Sequence, residues 1–225
     1  SFRWFPGTSI AQKRKSIASL HKAFEVATGF SRVLEISTKS PTPEGRSLSA
    51  FNLSLSLDEG MGAPLECIYQ GAKVFEAAGP FPECHLMSPR AARGFIASAD
   101  LGELKEFCFQ GKVWPADGTS TFYDWLYCKA VLANRELLPV VESFEAFSDI
   151  EFNPGRSIAC QAKSAALLKC ALALGIPRED LLDPARFREL FSRTGGSGDR
   201  SGQTQPSSQM DLALTGASPK SSSRR

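Results

Sequence analysis

Pro64-Leu65-Glu66-Cys67-Ile68-Tyr69-Gln70-Gly71-Ala72-Lys73-Val74-Phe75, with Gly79-Pro80 close behind, is the stretch from which the rest of this chain is read. Pro64 suits the first turn of a helix, where its missing N–H costs nothing. Gly79-Pro80 stops a helix. The spacing therefore predicts a helix that carries past Lys73. At about 100° per residue, Glu66, Gln70 and Lys73 fall within roughly 60° of one another, with Tyr69 at the border. Ile68, Gly71, Ala72 and Phe75 take the opposite, apolar face. Lys73 lies two turns after Glu66, and helical side chains lean toward the N-terminus, so the amine reaches back toward the carboxylate. An acid and an amine held together can serve proton transfer and imine chemistry. The same spacing also suits an ordinary amphipathic helix with a solvated polar face.

Outward from this helix the chain alternates short strands with longer helical runs. Ser9 caps a predicted helix that runs to about Thr28 and ends at Gly29. Residues 32–38 alternate and read as a strand. Pro41-Thr42-Pro43-Glu44-Gly45 reads as a turn, and Leu48–Leu57 as a second strand paired with the first in a hairpin. Ser88-Pro89 caps a short helix. Phe107–Trp114 is a strand or short hairpin closed by Pro115. Ser120 to about Phe144 holds one or two helices interrupted at Pro139. Arg156–Leu174 is an Ala/Leu-rich helix stopped by Gly175, and Arg178–Arg193 a last amphipathic helix or pair of turns. Few strands among many helices imply an α+β fold, helix-dominated.

Residues 1–193 are expected to form a single globular domain. Residues 194–225, rich in Gly, Ser and Gln, bury too little apolar surface to offset chain entropy and are expected to form a flexible tail. Of 26 Lys+Arg and 24 Asp+Glu, Arg200, Lys220, Arg224, Arg225, Asp199 and Asp211 fall in the tail, which leaves 22 of each sign in the body. A neutral body excludes general duplex binding by a bulk basic surface, so any grip on nucleic acid is local. Lys13-Arg14-Lys15 is the one basic run near a helix start, a pattern that also suits a solvated helix face. The six cysteines, at 67, 84, 108, 128, 160 and 170, show no zinc half-site spacing, and no metal is expected. Unpaired cysteines without a signal peptide point to the cytoplasm, and no apolar run is long enough for a membrane span.

The stretch Glu66–Phe75 resembles the signature Glu-x-x-Phe-Gln-Ala-x-Lys-Phe of the NADAR superfamily, which includes riboflavin-intermediate N-glycosidases. Here Tyr69 stands for Phe, Gly71 for Ala, and Val74-Phe75 for the closing Phe. Leu48-Ser49-Ala50-Phe51-Asn52 resembles the family's Leu-Ser-Asn-Phe. Ser88-Pro89-Arg90-Ala91-Ala92-Arg93 resembles its Ser-Pro-x-x-Ala helix start. The likeness covers roughly residues 45–173. Trp4-Phe5-Pro6-Gly7, Glu35-Ile36-Ser37-Thr38-Lys39-Ser40, Phe122-Tyr123-Asp124-Trp125-Leu126-Tyr127 and Asp149-Ile150-Glu151-Phe152-Asn153-Pro154 are similar to a narrower branch, the NADAR antitoxins. These are paired with guanine-modifying DarT-type DNA ADP-ribosyltransferase toxins. The chain departs from the wider family at Phe152–Arg156 and Ala159–Lys163, where a Trp-Gly-x-Gly-like stretch and Gly-Lys-Asn-x-Leu-Gly are usual.

The resemblance implies an N-glycosidase that removes ADP-ribose from guanine in DNA or in a nucleotide, with ADP-ribose as product and no cofactor. Glu66 is then the acid/base, its pKa expected to rise on burial. Lys73 is either its electrostatic partner or, desolvated, a Schiff-base nucleophile. Gln70 orients a hydroxyl or the base edge, while Tyr69 stacks on the base or packs. The strand bearing Ser49, Phe51 and Asn52 lines the pocket. Asp149, Glu151 and Asn153 are candidates for ribose hydroxyls, and Arg90 and Arg93 for a pyrophosphate at a helix N-terminus. Two other readings share these residues. One is a glycosidase of ribosylamino-pyrimidine riboflavin intermediates. The other is a non-catalytic antitoxin that neutralises a toxin by binding it.

Overall fold

Ser9 and Gly29 bound the first helix as their chemistry dictates. In the computed structural model, which describes residues 1–57, 60–155 and 157–191, α1 runs Ile10–Thr28. Its start is capped by Ser9 Oγ, which accepts from the Gln12 amide, and Gly29 closes it with a left-handed φ of 79°. The chain then enters β1 (Val33–Glu35), which pairs in parallel with β7 (Ala146–Ser148), Val33 opposite Ala146 and Glu35 opposite Ser148.

The predicted hairpin between residues 32–38 and 48–57 does not form. Thr42 Oγ1 accepts from the Gly45 amide and Pro43 takes the first turn, so the supposed turn starts a short helix, α2 (Pro43–Ser47). Leu48–Asn52 is a turn rather than a strand, with the Asn52 and Leu53 amides both donating to the Ser49 carbonyl. Only Ser54–Ser56 is extended, as β2, and it pairs antiparallel with β3 (Gly62–Pro64).

The helix that carries Glu66 is also shorter than its polar stripe suggests. α3 spans Leu65–Gly71, and Lys73–Phe75 is β4. The carbonyls that would continue the helix are taken by neighbours. Gly71 O accepts from the Phe81 amide at 2.7 Å, and Ala72 O from Cys108 at 2.7 Å. β4 pairs antiparallel with β5 (Leu104–Phe109), and β5 with β6 (Lys112–Pro115), the hairpin expected around Phe107–Trp114. Between them, a 3₁₀ turn at Pro82–Leu86 leads to α4 (Pro89–Ser98), whose first turn is capped by Ser88.

α5 (Thr121–Ala133) is the central core element, with ten of its thirteen residues buried. It packs against α7 (Gln161–Ala173), α8 (Arg178–Leu182), α9 (Pro184–Phe191) and α3. A 3₁₀ turn and α6 (Leu138–Ser143) follow α5, with Pro139 in the first turn of α6. α7 begins at Gln161, later than its Ala/Leu content suggests. Trp114, Tyr127, Ile68, Leu126, Leu168 and Phe187 are fully buried, each large side chain contributing roughly 1.5–3 kcal/mol. Helices predominate and the strands are short, so the α+β, helix-dominated class holds. The expected flexible tail lies outside the described residues.

Candidate active site

The Leu48–Asn52 turn and the start of α3 are built as one unit. The Leu65 amide donates to Leu53 O at 2.8 Å, and the Glu66 amide to Ala50 O at 2.9 Å, so two otherwise free helix N–H groups are docked on the turn. Glu66 is thereby fixed in the interior, 4% exposed. Its Oε1 accepts from Gln70 Nε2 at 2.8 Å, one helical turn on, and from Arg93 Nε at 2.9 Å. Both donors stabilise the ionised carboxylate. Among the described residues Oε2 takes no hydrogen bond.

Lys73 is not on the helix stripe that the spacing predicts. It opens β4, and its amine lies 5.2 Å from the centre of the Tyr69 ring. Burial holds its pKa below the ordinary lysine value; the Glu66 charge works against that shift, and Arg93 adds to it. Acid and amine thus share one electrostatic neighbourhood through the strand that follows α3, not through two helical turns. Tyr69 stacks on Phe107 and Phe122, with ring centres 5.4 and 6.2 Å away, and meets Tyr123 edge-on at 5.0 Å. Burial pushes its phenol well above the ordinary range, so it stays a neutral donor.

The remaining candidates divide. Phe51 is partly buried beneath the Arg93 guanidinium, 5.1 Å from the ring centre. Ser49 is buried, with its Oγ 3.5 Å from the Phe51 amide. Asn52 is exposed, and its side-chain Nδ2 donates to Arg46 O at 2.8 Å. It serves the turn and not a strand face. Asp149 accepts from the Glu151 amide at 3.1 Å and from Gln161 Nε2 at 3.0 Å, while Gln161 Oε1 accepts from the Ala50 amide at 2.6 Å. Gln161 therefore clamps Asp149 to the turn that docks Glu66, and the Asp149 charge is felt at Arg93. Burial, with the Glu35 charge adding to it, pushes the Asp149 carboxyl up to about 6. Asn153 is exposed and accepts from the Gly155 amide at 2.9 Å. Arg90 is exposed; from α4 it is Arg93 that reaches Glu66.

Two further buried carboxylates escaped the sequence reading as chemistry. Glu35, 1% exposed, accepts from Ser37 Oγ and the Ile150 amide at 2.8 Å each, and from Ser148 Oγ at 2.5 Å. His21 Nε2 lies 2.8 Å from the same Ser148 Oγ. Asp124, 3% exposed, accepts from Ser120 and Ser164 hydroxyls at 2.7 Å each, and from Lys163 at 3.1 Å. The signal was available: a lone acid inside Leu34-Glu35-Ile36 or Tyr123-Asp124-Trp125 must be paired if the run is buried. Among the described residues, no group of three His, Cys, Asp or Glu side chains is placed to hold a metal, and no helix is long and apolar enough to cross a membrane.

The class these features define is a helix-rich α+β protein with a buried carboxylate, its guanidinium and amide donors, and a desolvated amine at one place. The profile of the DarT1-associated NADAR antitoxins matches residues 1–200, and the chain belongs to that family. The family's association with DarT1 supports a DarT toxin as partner. No curated protein matches the chain.

Proposed function

We propose that this chain is an N-glycohydrolase that removes ADP-ribose from guanine in DNA. The observation that carries the reading is the pairing of Glu66, buried and with Oε2 taking no hydrogen bond among the described residues, with Lys73, an amine that burial holds toward its neutral form. The bond to be cut joins the ribose anomeric carbon C1 to the exocyclic amine of guanine. Protonation of the ring oxygen by a water-borne proton opens this glycosylamine to a protonated imine between C1 and the guanine nitrogen. The neutral Lys73 amine adds to C1. Glu66 then takes the proton released by the lysine nitrogen and returns it to the guanine nitrogen. The C1–guanine bond breaks with its electron pair on guanine, and C1 is left as a protonated imine of Lys73. Water adds to that imine, Lys73 leaves, and ADP-ribose is released. Tyr69 and Arg93 keep the amine and carboxylate in place.

The experiment is turnover of a guanine-ADP-ribosylated oligonucleotide by the purified protein, read by mass spectrometry as restored guanine and free ADP-ribose. Cleavage of a ribosylamino-pyrimidine without cleavage of the modified DNA would overturn the proposal in favour of a metabolite glycosidase. Neutralisation of a DarT toxin with no turnover of either substrate would overturn it in favour of a binding antitoxin.

A further inference from the structure

Residues 1–24 carry Arg3, Lys13, Arg14, Lys15 and Lys22 and no Asp or Glu, in a body whose charges balance only as a whole. The segment ahead of α1 is strapped along that helix. The Arg3 amide donates to Ser19 Oγ at 2.9 Å, the Phe5 amide donates to Ser16 Oγ at 3.0 Å, and the Ser16 hydroxyl donates back to Phe5 O at 3.3 Å. The strap holds Trp4 with 47% of its surface in solvent and Phe2 with 40%. The two rings meet edge-on, 6.5 Å apart. A depression of about 500 Å³ is lined by Phe2, Arg3, Lys22 and Val26 among others. Toward the protein, the Lys13 amine lies 5.3 Å from the Trp4 ring and pairs with Glu151 at 2.9 Å. The Glu151 amide donates to Asp149, whose charge reaches Arg93, the partner of Glu66. Gln161 ties Asp149 to the turn on which Glu66 is docked, so a series of contacts links the aromatic strip to the candidate site. Lys22 pairs with Glu25 at 2.9 Å, whereas Arg3, whose guanidinium lies 4.8 Å from the Phe5 ring centre, forms no ion pair among the described residues.

Exposed flat rings beside Arg3, a cation with no ion pair among the described residues, in a segment with no acid before Glu25, call for a ligand that brings both π-faces and negative charge at short intervals. A single-stranded nucleic acid supplies one of each per nucleotide. We infer that Phe2, Arg3 and Trp4, with Lys13 at the inner end, hold the single DNA strand that flanks the modified guanine. The substrate is then a strand rather than a free nucleotide. The inference rests on the glycohydrolase reading for the identity of the base at Glu66, but not for the contact with the strand.

The test uses the full chain and two variants, Trp4→Ala and Arg3→Glu, both at exposed positions outside the proposed chemistry. Fluorescence anisotropy with an unmodified single-stranded oligonucleotide reads the strip without needing turnover. Each variant is expected to bind on the order of tenfold more weakly than wild type. The Arg3→Glu slope of log affinity against log salt should flatten by about 0.7, the change that follows when one phosphate is no longer neutralised. In turnover, kcat/KM on the ADP-ribosylated oligonucleotide should fall by a similar factor, while that on ADP-ribosylated guanosine monophosphate stays unchanged. Equal strand affinity for wild type and variants overturns the inference. So does loss of a DarT toxin complex with strand affinity retained, which would give the strip to the toxin. Failure of wild type to turn over either substrate sinks the glycohydrolase reading, and the anisotropy result still decides the strip.

Discussion

Replacing Asp149 with Asn should reverse the sign of its effect on stability between mildly acidic and neutral pH. Asp149 titrates at about 6 in the folded protein against an ordinary 3.8. At about 1.36 kcal/mol per pH unit, the ionised carboxylate opposes folding by roughly 3 kcal/mol above pH 6. The sign follows from proton counting. Between about pH 4 and 6 the folded protein holds a proton that the unfolded chain has released, so this residue's contribution to stability falls as pH rises through that window. Asp149→Asn removes the ionisation. It also turns an N–H₂ toward Gln161 Nε2, which donates to Asp149 and cannot flip without losing its 2.6 Å bond from the Ala50 amide, a cost of about 1 kcal/mol. The variant should therefore be about 2 kcal/mol more stable than wild type at pH 7.5 and about 1 kcal/mol less stable near pH 4. Urea unfolding of both proteins across this range measures the difference. His21 and His85, which burial holds below the ordinary histidine value, act on both proteins and cancel. A stability difference that stays flat with pH, or that grows as pH falls, would refute the reasoning.

Other perturbations separate structure from chemistry. Glu66→Gln should keep the fold by circular dichroism and lose about 10²–10⁴-fold in turnover; activity within twofold of wild type would remove Glu66 from the reaction. Asp124→Ala should cost about 3 kcal/mol in urea unfolding. That cost comes chiefly from the Ser120 and Ser164 hydroxyls left unpaired, because the half-exposed Lys163 can turn to water. Gly71→Ala should cost about 1–3 kcal/mol, since a β-carbon there would lie 2.8 Å from Phe81 O and 3.0 Å from His85 Nε2; a variant as stable as wild type would show that the 3₁₀ turn gives way freely.

The sequence carried the fold where local chemistry alone decides. Ser9, Gly29 and Ser88-Pro89 bound helices where their capping chemistry places them. It misled where tertiary partners intervene. The period of Glu66, Gln70 and Lys73 was compatible with a helix, but the Gly71 and Ala72 carbonyls are claimed by Phe81 and Cys108, so the chain extends at Lys73. Thr42 capping also turned an apparent hairpin loop into α2. At the site, Glu66 with Gln70 one turn on was legible because both lie on one short helix. Arg93 and Gln161 as partners were not, because their hydrogen bonds span 27 residues to Glu66 and 111 to Ala50 and leave no mark on local spacing. Gly71 in place of the family's Ala reads in the structure as room made for His85 and the Phe81 carbonyl.

The most direct test of the account is borohydride trapping at Lys73 during turnover of guanine-ADP-ribosylated DNA. The reductant converts an imine to a stable secondary amine, so wild type should acquire an ADP-ribosyl mass that peptide mapping places on Lys73. Lys73→Arg, which keeps the charge but cannot form an imine, should be as inactive as Lys73→Ala and trap nothing. A wild-type enzyme that turns over without an adduct, together with an active Lys73→Arg variant, would contradict the account and leave Lys73 only an electrostatic role beside Glu66.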